Sequence, residues 1–166
     1  LLDLARLDSV PKAIAFSDFD FSRAVTASAL SFESLAFETH KTYRMEIADG
    51  IHFTGNEGAI RQIVTILLDN AFKYSEAGAQ ITISLSRKGD KKILSVLNTG
   101  RGISKEDQKH IFERFYRSDN SRSRESGSTG GYGLGLAIAA SIVSSHSGQI
   151  SVKSDEVSYT QITAVL

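Results

Sequence analysis

Cysteine is absent from the 166-residue sequence, and proline and methionine occur once each, as Pro11 and Met45. The lack of thiols excludes disulfide scaffolds, thiol catalysis and cysteine-based zinc sites together. It is compatible with a reducing compartment. Long apolar runs are also missing. Leu136 to Ala140 is typical, far short of the ~20 residues that span a bilayer, and no signal-peptide pattern is visible. Neither sign of charge dominates, with 19 basic and 19 acidic side chains. That balance argues against nonspecific nucleic-acid or anionic-membrane binding as the main task. The first residue is not Met, and the chain is expected to be a piece of a longer protein. What is present is ordinary globular material, 41% apolar and 23% charged, in a length that suits one domain with a real core.

Leu1, Leu4 and Leu7 form a helical stripe that stops before Pro11. Ala13 to Phe16 leads, strand-like, into Asp18, Phe19 and Asp20. Residues 21–38 read as one amphipathic helix with Phe21, Val25, Leu30, Leu35 and Phe37 among its apolar positions. Residues 41–47 alternate, and the turn at Asp49-Gly50 leads to Ile51–Thr54, so the two segments resemble a hairpin. Residues 57–75 carry the clearest helix, with Ile60, Ile63, Val64, Leu67, Leu68 and Ala71 at three- and four-residue spacing. Strands at Ile81–Leu85 and Ile93–Leu97 follow, then a glycine loop (99–102) and a short helix (104–111). The polar stretch Ser118–Gly131 holds five Ser, two Arg and three Gly. It cannot bury itself and is expected to be a mobile loop. A helix over 133–146 and strands at Ile150–Val152 and Ile162–Leu166 complete the chain. The order predicts an α+β fold: a two-layer sandwich whose mixed sheet, of about five or more strands, is covered on one face by three main helices.

Three clusters carry possible chemistry. Asn70, Lys73 and Tyr74 stand at i, i+3 and i+4 of the long helix and share one face. An amide oxygen can ligate a hard cation such as Mg²⁺, a lysine can neutralise phosphate and an aromatic ring can cover a base; a solvated helix edge is the plain alternative. Asn98-Thr99-Gly100-Arg101-Gly102-Ile103 follows a strand, where glycines let backbone approach a ligand or simply make a turn. Gly130-Gly131-Tyr132-Gly133-Leu134-Gly135-Leu136 opens a helix, a setting suited to phosphate or to a hinge. Its spacing matches neither the mononucleotide loop nor the dinucleotide fingerprint.

The order of these clusters, with Ile-Phe-Glu-Arg-Phe-Tyr-Arg at 111–117 between the second and the third, resembles the catalytic ATP-binding domain of sensor histidine kinases, within the GHKL ATPases. The resemblance runs from about residue 11 to the end of the chain. It implies that residues 1–10 end a preceding dimerisation and phosphoacceptor helix. It also implies that 11–166 form the catalytic domain, with a flexible ATP lid over 118–131. By that similarity Asn70 holds Mg²⁺, Lys73 contacts phosphate and Tyr74 packs near the adenine and ribose. Asn98 stands where the family most often has Asp, which accepts a hydrogen bond from the adenine amino group. Gly100 and Gly102, with Ile103, pass beneath the base, and Phe112 and Phe115 pack the base of the lid onto the core. Arg117, with Arg114 second, reaches the γ-phosphate. Gly131, Gly133, Leu134, Gly135 and Leu136 close over the triphosphate, and Thr160 joins the adenine network.

Ile66 departs from the pattern. Related kinases usually carry Asn there, and the hydrolysing relatives a Glu that activates water. The implied chemistry is γ-phosphoryl transfer from Mg-ATP to a histidine outside this chain. His40, His52, His110 and His146 lack the acceptor context; His146, before Ser147-Gly148 at a helix end, suits capping or packing. The implied partners are ATP, the phosphoacceptor domain of the same protein and a response regulator receiver domain, and not nucleic acid. The implied setting is a cytoplasmic domain of a homodimeric membrane sensor. Two alternatives stand beside this reading. One is a degenerate nucleotide-binding or docking module without kinase activity, suggested by Ile66 and Asn98. The other is a hydrolase or an anti-sigma-type serine kinase on the same fold.

Overall fold

The computed structural model describes residues 15–117 and 133–166. The expected helix end at 1–10 and the expected lid over 118–131, with Gly131, lie outside the described residues. The elements are β1 (Ser17–Asp20), α1 (Phe21–Leu30), α2 (Glu33–Glu38), β2 (Thr42–Ile47), β3 (His52–Gly55), α3 (Glu57–Lys73), β4 (Gln80–Lys88), β5 (Lys91–Thr99), α4 (Lys105–Gln108), α5 (Gly135–Ser145), β6 (Gln149–Ser154) and β7 (Tyr159–Val165). Five strands make one mixed sheet in the order β2-β4-β5-β7-β6. Only the β2–β4 pair is parallel; the others are antiparallel. This is the predicted α+β arrangement, with α1, α3 and α5 contributing to the core that the sheet covers.

The alternation of each strand decides which face is buried. Ile81, Ile83 and Leu85 of β4, Leu94 and Val96 of β5, and Ile162 and Ala164 of β7 point inward. Onto them pack Ile60, Ile63, Val64, Leu67 and Leu68 of α3. Each such fully buried aliphatic side chain contributes about 1.5–3 kcal/mol. The start of α3 is fixed by Asn56, whose side chain accepts the Ala59 N–H (2.8 Å). Glu57 in the first turn and Lys73 in the last suit the helix dipole.

Two expectations are corrected. Residues 21–38 form two helices, because Phe32 turns inward to stack on Phe72 (centroids 5.5 Å apart) and breaks the helix after Leu30. Leu30 and Phe37 are left exposed. The segments at 42–47 and 52–55 are not a hairpin. β2 runs parallel to β4, and β3 pairs with β1. The first turn of α1 separates them: the Ser22 hydroxyl donates to the Ala48 carbonyl (2.6 Å) and accepts the Ile51 N–H (2.9 Å), while the Phe21 N–H donates to the Ile51 carbonyl (2.8 Å).

His146 joins the far ends of α5 and α3. Its Nδ1–H donates to the Ile142 carbonyl (2.8 Å), its Nε2 accepts the Asn56 N–H (3.0 Å), and its ring stacks on Phe16 (4.6 Å). At the β6–β7 turn the Asp155 carboxylate accepts the N–H groups of Val157 (3.0 Å), Ser158 (2.7 Å) and Tyr159 (3.2 Å), and the Ser158 hydroxyl. The Ser158 bonds lead in holding this carboxyl well below the usual carboxylate range.

His146→Ala leaves the Asn56 N–H unpaired and is expected to lower the unfolding free energy by about 1–3 kcal/mol, read from denaturant midpoints. The Asp155 contribution is present above its unfolded value, about 3.9, and is lost as pH falls from there through the depressed folded value. Asp155→Asn is therefore expected to lose less melting temperature than the parent on acidification from about pH 5 to 3; equal losses in thermal scans would refute this.

Candidate functional site

The floor of the site is the place where an apolar row turns polar. The inward positions of β5 run Leu94, Val96, Asn98, and those of β7 run Ala164, Ile162, Thr160. Asn98 and Thr160 are cross-strand partners. They are 6% and 5% exposed. Among the described residues neither side chain has a hydrogen-bond partner in the protein, and both open onto a cavity of about 320 Å³. That volume lies within the ~300–1,000 Å³ typical of small-ligand sites.

One wall is the last two turns of α3, with Ile66, Asp69, Asn70, Lys73 and Tyr74. The Lys73 ammonium lies 5.4 Å from the centre of the Tyr74 ring. Burial pushes the Asp69 carboxyl up, because desolvation disfavours its charged form. The facing wall holds Arg101, Gly102, Ile103, Ser104, Asp107, Ile111, Tyr116 and Arg117. Ser104 caps α4: its hydroxyl accepts the Asp107 N–H (3.0 Å) and donates to the Asp107 carboxylate (2.9 Å). The Tyr116 hydroxyl donates to the other carboxylate oxygen of Asp107 (2.5 Å). This network ties Tyr116, next to Arg117, back to α4.

The third part is the start of α5. The Phe115 N–H donates to the Gly133 carbonyl (3.0 Å), which brings residues 115 and 133 together across the intervening stretch. Gly133 has φ +70°, and a Cβ there would stand 2.8 Å from the Tyr116 carbonyl oxygen, so only glycine permits this crossing. Gly135 begins α5, and Ile66 comes within 3.4 Å of where its Cβ would be. Its N-cap residue, Leu134, makes no side-chain cap hydrogen bond, and a helix start of this kind suits an anion.

Of the site residues expected from the sequence, Asn70, Lys73, Tyr74, Asn98, Gly102, Ile103, Arg117, Gly133, Gly135, Leu136 and Thr160 line this one cavity. Gly100 and Leu134 do not. Gly100, at φ +118°, makes the turn itself and donates its N–H to the Ser158 carbonyl (2.9 Å). Leu134 lies in a separate surface groove with Arg114, Phe115 and Ile138. Phe115, expected to pack on the core, is 69% exposed; its backbone takes the left-handed conformation (φ 63°) beside Gly133 and leaves the ring outside. Phe112 does pack against the core. Asp69, Arg101, Ser104, Asp107, Ile111 and Tyr116 were not expected. The spacing Ser104-x-x-Asp107 is a helix-start signal that points to two of them.

A profile of the family described as histidine kinase-, DNA gyrase B-, and HSP90-like ATPase matches residues 55–166. The sensor protein DltS of Streptococcus agalactiae is 37% identical over 150 residues, covering 90% of this chain and 37% of the relative. The sensor histidine kinase YkoH of Bacillus subtilis is 38% identical over 162 residues, covering 98% of this chain and 32% of the relative. The chain thus spans about a third of the length of these relatives. The catalytic domain of histidine kinase ThkA superposes with a TM-score of 0.78 at 19% identity, covering 92% of this chain and 97% of that one. ThkA has also been solved in complex with the response regulator protein TrrA (TM-score 0.73, 19% identity, covering 92% of this chain and 42% of that one). No helix among the described residues is long and apolar enough to cross a membrane.

Gly102 is tested by its own packing. A Cβ there would approach the Glu156 Cα to 2.8 Å, so Gly102→Ala has to displace the β6–β7 turn. The expected loss is about 1–3 kcal/mol in denaturant unfolding, with shifted NMR signals over residues 154–158. Unchanged stability and spectra would show that the close approach is dispensable.

Proposed function

Since this chain belongs to the family of histidine kinase-, DNA gyrase B- and HSP90-like ATPases, we propose that it is the ATP-binding catalytic domain of a sensor histidine kinase, positioning Mg-ATP for γ-phosphoryl transfer to a histidine outside the chain. The observation that carries this reading is the convergence of Asn70 and Lys73, the Asn98–Thr160 pair, Arg117 and the start of α5 on one cavity. Asn98 and Thr160 offer neutral hydrogen-bonding groups that suit a base, and Lys73, Arg117 and the start of α5 offer cations and a helix start that suit phosphates.

The residues fit a magnesium ion. Asn70 lines the cavity and its amide oxygen is a suitable ligand, and burial pushes the neighbouring Asp69 carboxyl up, so a nearby cation favours its charged form. Among the described residues no group of three or more acidic or histidine side chains would hold a metal alone. Magnesium fits such a site because it is commonly held by one or two protein oxygens together with substrate phosphates and water. When bound, it supplies charge neutralisation on the phosphates. Lys73 and Arg117 line the same cavity and add two positive charges to it. The start of α5, where Leu134 makes no side-chain cap, adds a setting suited to an anion.

In the transfer, a ring nitrogen of the acceptor histidine attacks the γ-phosphorus, the bond from that phosphorus to the bridging oxygen breaks, and ADP leaves. The chain's own contribution is orientation and electrostatics, the usual source of catalysis in phosphoryl transfer. Ile66 stands one helical turn before Asn70 and packs beside Gly135. An aliphatic group there cannot activate water, which directs the phosphoryl group to the acceptor and away from hydrolysis.

The same reading places residues 1–10 at the end of a phosphoacceptor helix and 118–131 as the ATP lid. It puts the parent among homodimeric membrane sensors, with this domain on the cytoplasmic side and a response regulator receiver domain as the downstream partner. These assignments rest on the resemblance and on the relatives' names.

Millimolar Mg-ATP is expected to raise the melting temperature by several degrees, since ligand at 100 times its Kd adds about 2.7 kcal/mol. Asn70→Ala is expected to remove most of that shift. When the parent protein is incubated with labelled ATP, label on histidine is expected. Melting indifferent to Mg-ATP would sink catalytic competence.

A further inference from the structure

Asn98 is the one amide at an inward-facing position of β5, and it sits beyond the last aliphatic residue of that row. It is 6% exposed, its cross-strand partner Thr160 is 5% exposed, and among the described residues no protein group takes up the hydrogen-bonding capacity of either side chain. Both line the cavity. Neither contributes a fully buried polar atom that lacks a partner, so their polar atoms open to the cavity, where a ligand can take up their hydrogen bonds. On the nucleotide reading proposed above, that ligand is the base.

The chemistry of the pair decides which base. An asparagine amide carries an acceptor oxygen and a donor NH₂, and a threonine hydroxyl can do either. A 6-aminopurine presents a donor at N6 and an acceptor at N1. A 6-oxopurine presents an acceptor at O6 and a donor at N1. The amide complements both: Oδ1 with the N6 amino hydrogen and Nδ2–H with N1, or Nδ2–H with O6 and Oδ1 with the N1 hydrogen. Turning the amide over converts one arrangement into the other, and no intramolecular hydrogen bond on Asn98 opposes that turn. A carboxylate in the same place can only accept. It would favour the amino group and repel O6.

We infer that this cavity does not discriminate sharply at the 6-position of the purine, and accepts 6-oxopurine nucleoside triphosphates as well as ATP. The inference depends on the nucleotide reading but can fail separately from it.

Calorimetric titration of the chain with Mg-ATP and with Mg-inosine triphosphate tests it directly. The inosine nucleotide changes the 6-substituent without adding the 2-amino group of guanine. The expected result is that the two affinities lie within about tenfold of each other. Asn98→Asp is expected to widen that ratio by about 100-fold or more, mainly through loss of the inosine nucleotide. ATP binding with inosine triphosphate more than about tenfold weaker in the parent chain would overturn the inference and leave the nucleotide reading intact. Binding of neither would overturn both. The parent chain's ratio decides the matter by itself if the melting curve of the aspartate variant shows that it does not fold.

Discussion

The cavity depends on how α3 lies on the sheet. Its stripe of Ile60, Ile63, Val64, Leu67 and Leu68 is fully buried against β4, β5 and their neighbours. A helix turns ~100° per residue, so a slip of one position would expose part of that stripe and push Thr65 or Asp69 into the core. The burial of five aliphatic residues therefore fixes the rotation of the helix about its axis. Asn70 and Lys73 have their direction set by residues that never touch the cavity. The Asn56 cap at the other end sets where the helix starts, and with it how far along the sheet Asn70 arrives. The site is thus a by-product of hydrophobic register, and its geometry is as stiff as the core beneath it.

The remaining parts of the cavity are held by local devices. Gly102 lies against the backbone of the β6–β7 turn, and Asp155 holds that turn by collecting three N–H groups. Asp107 gathers the Ser104 and Tyr116 hydroxyls. Gly133 lets residues 115 and 116 pass over the start of α5. Each device joins two segments distant in sequence or separated by a turn. Each uses a carboxylate or a missing Cβ, where packing alone would leave the loops free to move. The wall bearing Arg117 consequently rests on hydrogen bonds, whereas the α3 wall rests on burial. Hydrogen-bonded segments of this kind open at lower free energy than a core helix, and ligand exchange requires that one side of a closed site yield.

Much of this was legible in the residues. The three-and-four spacing of α3 announces both the helix and the face on which Asn70, Lys73 and Tyr74 stand. The glycines after Asn98 and before Leu136 mark the places where backbone must turn or approach closely. The pairing of strands was not legible. β2 and β3 each alternate, and a Gly turn lies between them, so local pattern favours a hairpin. The contacts that prevent it come from Phe21 and Ser22, about 30 residues earlier in the chain than the connector they hold. The break after Leu30 was hidden for a similar reason, since Phe32 turns toward Phe72 on α3, a partner no window around residue 32 contains. Tyr116 and Asp107 were overlooked because a tyrosine and an aspartate on a surface segment are common. Only the Ser104-x-x-Asp107 spacing hinted that the carboxylate had a structural duty.

Asn98 shows how fold and ligand are coupled in such a site. The inward row of β5 could have ended in another aliphatic residue, and the sheet would have been more self-sufficient. With an amide and a hydroxyl there, the row ends in groups whose hydrogen bonds the protein does not supply. Their polar atoms face the cavity, where a base that fits between them takes up those hydrogen bonds. A ligand that pairs both groups stabilises the sheet end as well as itself. The phosphate side works the opposite way. Lys73, Arg117 and the start of α5 line the cavity together with Asp69 and Asp107, and cations and a helix start there attract phosphate. A nucleotide engages both sides at once, one by hydrogen bonding and one by charge. A base without phosphates, or a triphosphate without a base, engages only one. This requirement for both ends is a physical basis for selecting a whole nucleotide from a chain with no net charge and few site residues.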